Sequence, residues 1–401
     1  MGKTRTAVGE LHVACMLALG LAPARECRPG EHVEGHVCRG MQIAMMLAYF
    51  ADAERDPGLR AHAAPVAARL AVGANPEYKD TVARDVLEAV DARSKEAEEV
   101  KQGCVIALGH LADGDGDKLD KEIRASLEKL AKRTDGLTRR FAVMALARAS
   151  ARPGEGPQGS GLEQARKFLL GQLSRGREGM DGWAGLGLAV LEFHALHAGG
   201  ALSDDVLRSL QHGLVKARSS DKAAAASIAL GLLQGAGARG AILERFVEAE
   251  DPGLRGYAAL SLGLLGAREA TDELRAILET GEDGAAIYGA ALALRLLGDR
   301  EVAPALVERL ADAEEPGDQR MYGAALGFLA DRRTVAPLLD LLADEDSGDS
   351  LRGAVAAALG SMCDTDEESW SAPLASDLDY GSLTWTLQSP FGDGSGLLDL
   401  R

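Results

Sequence analysis

Apolar and polar positions alternate along this chain with a helical period, and the pattern is clearest between residues 220 and 362. Leu254, Tyr257, Ala258, Leu262 and Leu265 fall at steps of three and four, the spacing that lines one face of a helix. A break follows, Gly266-Ala267-Arg268 here and Gly298-Asp299-Arg300 in the next stretch. Glycine takes the left-handed turn that ends a helix at least steric cost. A second amphipathic run comes after each break: Leu274, Ile277 and Leu278 in one stretch, Val302, Leu306 and Leu310 in the next. Pro304 and Pro337 sit where the first turn of that second helix is expected. A missing N–H costs nothing there, because those donors have no partner inside the helix. Each stretch is therefore predicted to be a helical hairpin.

The hairpins repeat. AASIALGLLQG around Gly231, YAALSLGLLGA around Gly263, GAALALRLLGD around Arg295, YGAALGFLADR around Gly327 and GAVAAALGSMC around Gly360 are spaced by 32, 32, 32 and 33 residues. Looser relatives are centred on Ala189, Ala147, Gly109, Ala48 and Gly20, at spacings from 28 to 61. A single hairpin cannot bury its apolar face; stacked neighbours bury it jointly. The expected fold is all-α: an α-solenoid of stacked helical hairpins, HEAT-like, with a period of about 32 residues and roughly nine or ten units. The expected divisions are irregular repeats over 1–151, a Gly/Pro-rich loop over 152–161 (RPGEGPQGSG), regular repeats over 162–363 and a short non-helical C-terminal cap or tail over 364–401. In that last segment SLTWTLQ (382–388) alternates with a period of two, which predicts a short strand.

Composition sharpens this picture. Hydrophobic residues make up 46% of the 401, yet aromatic residues only 4%, so Ala, Leu and Gly build the core. Small side chains let helices approach closely. The 44 basic and 61 acidic residues leave a formal net charge of −17, and the sequence holds no Lys/Arg block that a phosphate backbone would need. No apolar run reaches the roughly 18 residues required to span a bilayer. The five cysteines are sparse and odd in number, which fits reduced thiols and a cytoplasmic location. Lys3, Arg5, the apolar stretch 13–22 and Ala22-Pro23-Ala24 imitate a signal peptide, and export is the alternative if the first 24 residues are one.

The stretch EDPGLRGYAALSLGLLGAREATDELRAILE (250–279) resembles a HEAT repeat of the short bacterial kind known as phycobilisome-lyase-type HEAT-like repeats. It shows an Asp-Pro turn, an Arg in the first helix, an Ala-Leu-Gly core, a Gly turn and a Leu-rich second helix. The similarity is strong over about 220–362 and weaker toward the N-terminus. The resemblance implies an adaptor or scaffold that binds other proteins. It also raises two enzymatic branches. Deoxyhypusine hydroxylase resembles such repeats but uses His-Glu pairs to hold two irons, and no His-Glu dipeptide occurs here. Bilin lyases use similar repeats, and no motif specific to them is present.

Three other features bear on chemistry. Cys27, His32, His36 and Cys38 supply two thiols and two imidazoles within twelve residues, a donor set that could close a tetrahedral zinc site. The alternative is a polar loop between helices. Asp113-Gly-Asp115-Gly-Asp117 opens like a calcium loop, but Lys118 stands where the sixth-position Gly belongs and Arg124 where the twelfth-position Glu belongs. A solvated turn is the simpler reading. Glu192, His194 and His197 share one predicted helix without a fourth ligand. No nucleotide-binding loop or nucleophile elbow appears.

The sequence thus predicts a scaffold, not an enzyme, with no cofactor or resident metal. Its partners are expected to be other proteins with basic surfaces, with no nucleic acid and no membrane insertion. The face of the second helices is the expected docking surface, through Glu273, Glu279, Glu308, Arg309 and Asp340. The alternative is a HEAT-like lyase or metal-dependent enzyme that handles a chromophore or a protein side chain.

Overall fold

The computed structural model describes residues 12, 15–16, 18–20, 22–26, 37–132, 136–157, 159–175, 180–281 and 283–362. The strand expected at 382–388 and the terminal cap lie outside them. From Arg39 onward the described residues form eighteen α-helices, residues 12, 15–16 and 18–20 are helical as well, and no strand occurs among the described residues. They divide into two compact units, one up to Ala201 and one from Leu202. Among them no helix is long and apolar enough to cross a membrane.

In the N-terminal unit α1 (Arg39–Ala51) precedes α2 (Pro57–Ala71), α3 (Pro76–Val90), α4 (Glu98–Leu111), α5 (Lys118–Leu130), α6 (Gly136–Ala151), α7 (Gly161–Arg175) and α8 (Met180–His197). The even-numbered helices α2, α4, α6 and α8 pack side by side in one layer, and α3, α5 and α7 form a second layer against them. Gly20 also packs into this unit: it is buried, and a Cβ added to it would come within 3.3 Å of Val66 on α2. Loop 152–161 falls inside this unit.

The C-terminal unit repeats the arrangement with less variation. Its long helices are α10 (Ser220–Leu232), α12 (Pro252–Leu264), α14 (Gly284–Leu297), α16 (Pro316–Leu329) and α18 (Asp349–Met362). Its short ones are α9 (Asp204–Lys216), α11 (Arg239–Glu248), α13 (Thr271–Thr280), α15 (Ala303–Asp312) and α17 (Val335–Ala343). The long helices again stack on one another, and each short helix packs on the long helix that follows it, α11 on α12 and α13 on α14. The repeating pair is therefore short helix then long helix, one half-step out of phase with the hairpin read from the sequence.

The close stacking depends on missing side chains. A Cβ on Gly256 of α12 would collide with the carbonyl oxygen of Ala285, and one on Gly289 of α14 with that of Gly256. Backbone thus meets backbone across α12 and α14, which is why a core of Ala, Gly and Leu suffices. Helix starts follow the sequence signals: Asp251 accepts from the Leu254 N–H at 2.7 Å ahead of Pro252, and Asp56 accepts from Gly58 and Leu59 ahead of Pro57. The pentapeptide Asp-Pro-Gly-Leu-Arg occurs at both places, 56–60 and 251–255, and it marks α2 as a long repeat helix that periodicity alone does not single out. Helix ends recur as well: Gln234, Gly266, Gly298 and Ala330, 32 residues apart, all take positive φ.

Candidate functional site

The richest cluster of ionisable groups among the described residues lies where α4 gives way to α5. Asp113, Asp115 and Asp120 each offer a carboxylate oxygen, and these atoms lie within 4.8 Å of one another. The turn folds by its own side chains. Asp115 N–H donates to Asp113 Oδ1 at 3.0 Å, Asp117 N–H to Asp115 Oδ1 at 2.9 Å, and Asp120 N–H to Asp117 Oδ1 at 2.7 Å. Asp117 thereby caps α5, where a negative charge meets the positive end of the helix dipole. The Asp113 N–H closes the loop on Asp120 Oδ1 at 3.0 Å.

The chain supplies its own cations to this turn. Lys79 of α3 places Nζ 3.1 Å from Asp120 Oδ2 and 3.4 Å from Asp113 Oδ2. Arg124 of α5 donates to the carbonyl oxygens of Asp113 and Asp115. The residue at the twelfth position of a calcium loop does reach back over the turn, but as a guanidinium instead of a carboxylate. Asp120 is fully buried. Burial, then the neighbouring Asp117 carboxyl, pushes its pKa up to about 6 in spite of Lys79. The Lys79 ammonium is held above its ordinary range by Asp120, Asp113 and Asp117, which outweigh its own burial. Asp117, with the Asp120 N–H on its carboxylate, is held below the usual value although burial works against it.

The Gly/Pro-rich loop closes over this turn. Gly156 N–H donates to Asp115 Oδ2 at 2.8 Å, Gly116 N–H to Pro157 O at 2.6 Å and Gly114 N–H to Arg152 O at 2.8 Å. Side chains on Gly154 or Gly156 would strike the Asp113 and Asp115 carboxylates. Two segments that look separate in the sequence, DGDGD and RPGEGPQGSG, form one clasp about 40 residues apart. Their shared glycine content is the only signal visible in advance; the pairing itself needs the fold. Chemically, the clasp is a carboxylate trio that could hold a metal ion only in competition with Lys79.

The other candidates disperse. Glu273, Glu279, Glu308 and Asp340 are exposed on α13, α15 and α17. Arg309 is half-buried, donating to Leu278 O at 2.8 Å, Gly281 O at 3.0 Å and Tyr322 Oη at 2.6 Å. Arg245 on α11 has the same role, reaching Ala217 O at 3.2 Å. Of the Cys/His set, Cys27, His32 and His36 lie outside the described residues. Cys38 is disulfide-bonded, a state in which sulfur is no thiolate ligand. Glu192 is buried against Arg166, and His197 bonds the Phe193 carbonyl oxygen through Nδ1 at 2.8 Å. His194 is half-buried, and burial followed by Arg148 and Arg152 takes its pKa down to about 4.

No curated protein sequence matches the chain. Among solved structures, human deoxyhypusine hydroxylase in complex with glycerol is similar at 16% identity and a TM-score of 0.32, covering 72% of this chain and 98% of that one. A likeness of that extent transfers no activity. The expectation that the chain is not an enzyme is withdrawn, because Asp113, Asp115 and Asp120 form a carboxylate trio that could hold a metal ion. Residues 239–318, which run from α11 into α16, match the family model of HEAT repeats. Over residues 239–318 the chain carries HEAT repeats, and stacked helix pairs continue on either side of that stretch.

Proposed function

We propose that the protein is a scaffold that binds partner proteins with basic surfaces on the short-helix face of its C-terminal unit. One observation carries this reading: acidic residues recur there in repeat register and are exposed. Glu244, Glu308 and Asp340 are separated by 64 and 32 residues, and so are Glu248, Asp312 and Asp344. Glu273 and Glu279 of α13 add charge between them. Rows of like charge on adjacent helices raise the local potential and steer a complementary partner. Arg309 is not part of this surface, because its guanidinium is engaged by the carbonyl oxygens that end α13.

The test is co-purification of tagged chain from its native host, read by mass spectrometry, beside the Glu308→Lys/Asp340→Lys variant. A stoichiometric partner lost in the variant, with unchanged melting, supports the docking face. A partner retained by the variant rejects that face. A second reading, a metal-dependent enzyme, draws on the Asp113–Asp115–Asp120 trio. Equilibrium dialysis against Ca²⁺ and Mn²⁺ addresses it, and it predicts tighter binding once Lys79→Met removes the competing ammonium.

A further inference from the structure

The last helix pair of the C-terminal unit keeps the residues of an interior pair. Leu342 of α17 stands one repeat after Leu310, in the register of Leu278, Phe246 and Leu214. Those four are at most 2% exposed, whereas Leu342 is partly exposed and Leu339, one turn earlier, is 50% exposed. Leu359 of α18 likewise succeeds Leu326, Leu294, Leu262 and Leu230, each fully buried, and is itself partly exposed. Ala356 is exposed where its counterparts Gly323, Ala291, Ala259 and Ser227 are buried. A Cβ on Gly263 or Gly327 would strike the next long helix, but one on Gly360 meets no described atom within 4 Å.

A solenoid needs a polar outer face on its terminal repeat, because an apolar end is open to water and to other chains. Here α17 and α18 instead present core-type leucines, with no helix pair beyond them among the described residues.

We propose that residues 380–391 fold back over this apolar end and cap the stack in cis. The described chain stops at Met362, on α18 itself, and the sequence continues for 39 residues, 363–401. Acids gather early in that continuation, at Asp364, Asp366, Glu367 and Glu368. The stretch 380–391, YGSLTWTLQSPF, then carries no charge and holds Tyr380, Leu383, Trp385, Leu387 and Phe391. The intervening residues 363–379, fully extended, reach about 55 Å. The fourteen residues of α18 are only about 20 Å long. A tethered segment also meets the face at a high effective concentration and needs no second molecule. A second copy is the less suitable occupant. Asp344, Glu345, Asp346 and Asp349 stand exposed between α17 and α18, and two such ends would repel. The cap rests on no part of the partner-binding reading, and either can fail without the other.

The test uses Trp385 as reporter, made the only tryptophan of the full-length protein by Trp183→Phe and Trp370→Phe. Its emission is expected to be blue-shifted and weakly quenched by acrylamide. Ala356→Glu, at a position already exposed, should return the emission to that of tryptophan in water and raise quenching several-fold, with helix content unchanged. Hydrogen exchange of the otherwise wild-type protein gives a second reading. There α17 and α18 should exchange several-fold faster in Ala356→Glu and in Trp385→Ser alike, and no faster in Glu308→Lys. Water-like emission from Trp385 before any change on α18 would overturn the proposal, as would emission and exchange indifferent to Ala356→Glu. A blue shift that vanishes on dilution, with a dimer in sedimentation, would overturn it in favour of a second copy.

Discussion

The two units solve one packing problem at different tolerances. In the C-terminal unit the long helices begin at residues 220, 252, 284, 316 and 349, a step of 32 or 33. In the N-terminal unit they begin at 57, 98, 136 and 180, steps of 41, 38 and 44. The stacked layer is alike in both. The second layer differs: α3, α5 and α7 have 15, 13 and 15 residues, whereas in the C-terminal unit only the first, α9, has 13, and α11, α13, α15 and α17 have 10, 10, 10 and 9. The extra length also goes into connections, above all the clasp of loop 152–161 on the acidic turn. Repeat stacking constrains the contact between neighbouring long helices and leaves what joins them free to vary. Chemistry-bearing groups collect where the repeat is irregular, and evenly spaced surface charge where it is regular.

The sharpest way to break the shared layer is to enlarge a glycine at a backbone contact. Gly256→Val puts a branched side chain against the Ala285 carbonyl, so the stack must open or α14 must shift. A loss of about 3 kcal/mol is expected, seen in thermal unfolding and as faster hydrogen exchange across α12 and α14. Unchanged exchange there would show that the contact is looser than drawn.

The clasp is the N-terminal unit's own device, and Asp115 is its centre. Asp115→Ala removes the acceptor for the Asp117 and Gly156 N–H groups, and about 2 kcal/mol should be lost. Hydrogen exchange should rise over 152–161 first. The buried Asp120 gives the same region a pH signature. Its folded pKa, about 6, lies above the ordinary 3.8, so between these values the folded state holds a proton that the unfolded chain has released. Stability from this group is full below about pH 4 and is lost as pH rises to about 6. The difference in unfolding free energy between wild type and Asp120→Asn should decline across that window and level off above it. Asp117, held low in part by the Asp120 side chain, acts in the opposite sense and only below 3.8, outside that window.

Within the C-terminal unit, neighbouring residues on α15 separate fold from surface. Arg309→Ala should cost about 1.5 kcal/mol, because two carbonyl oxygens and the Tyr322 hydroxyl lose their donor. Glu308→Ala should change stability by less than about 0.5 kcal/mol. Equal effects on melting would undo the distinction between them.

Much of the regular unit is legible in the sequence because its signals are local. Apolar steps of three and four, Asp-Pro starts and Gly breaks each act within one helix, and they recur at one spacing. What the sequence hides is of longer range. Periodicity shows that Arg309 lies on a solvent-facing side of its helix, but not that its long side chain bends back to the end of α13. The DGDGD turn and the 152–161 loop each look like an isolated turn, because their union depends on glycines that clear space for carboxylates 40 residues away. The helix α2 is hidden from periodicity although Asp-Pro-Gly-Leu-Arg marks it, since its spacing to the next relative falls outside the 32-residue rule.

The smallest expected effect tests how strictly that rule is enforced. Gln234, Gly266, Gly298 and Ala330 occupy one register position, and each takes positive φ, from 47° at Ala330 to 75° at Gly298. A residue with a Cβ is disfavoured by about 1–2 kcal/mol in this region, whereas the cost of glycine is mainly unfolded-chain entropy. The difference favours glycine by a fraction of that figure, so Ala330→Gly should raise stability by about 0.5–1 kcal/mol. The turn it ends is anchored by its own N–H on the Leu326 carbonyl oxygen, 3.0 Å away, so the geometry should persist. Thermal unfolding of Ala330→Gly beside Gly298→Ala, which should move the other way, measures both sides of the exchange. If both substitutions destabilise, the alanine is matched to its own turn and the four breaks are not equivalent. If they move oppositely, the left-handed turn is a property of the repeat, imposed by the 32-residue stacking on whichever residue occupies it.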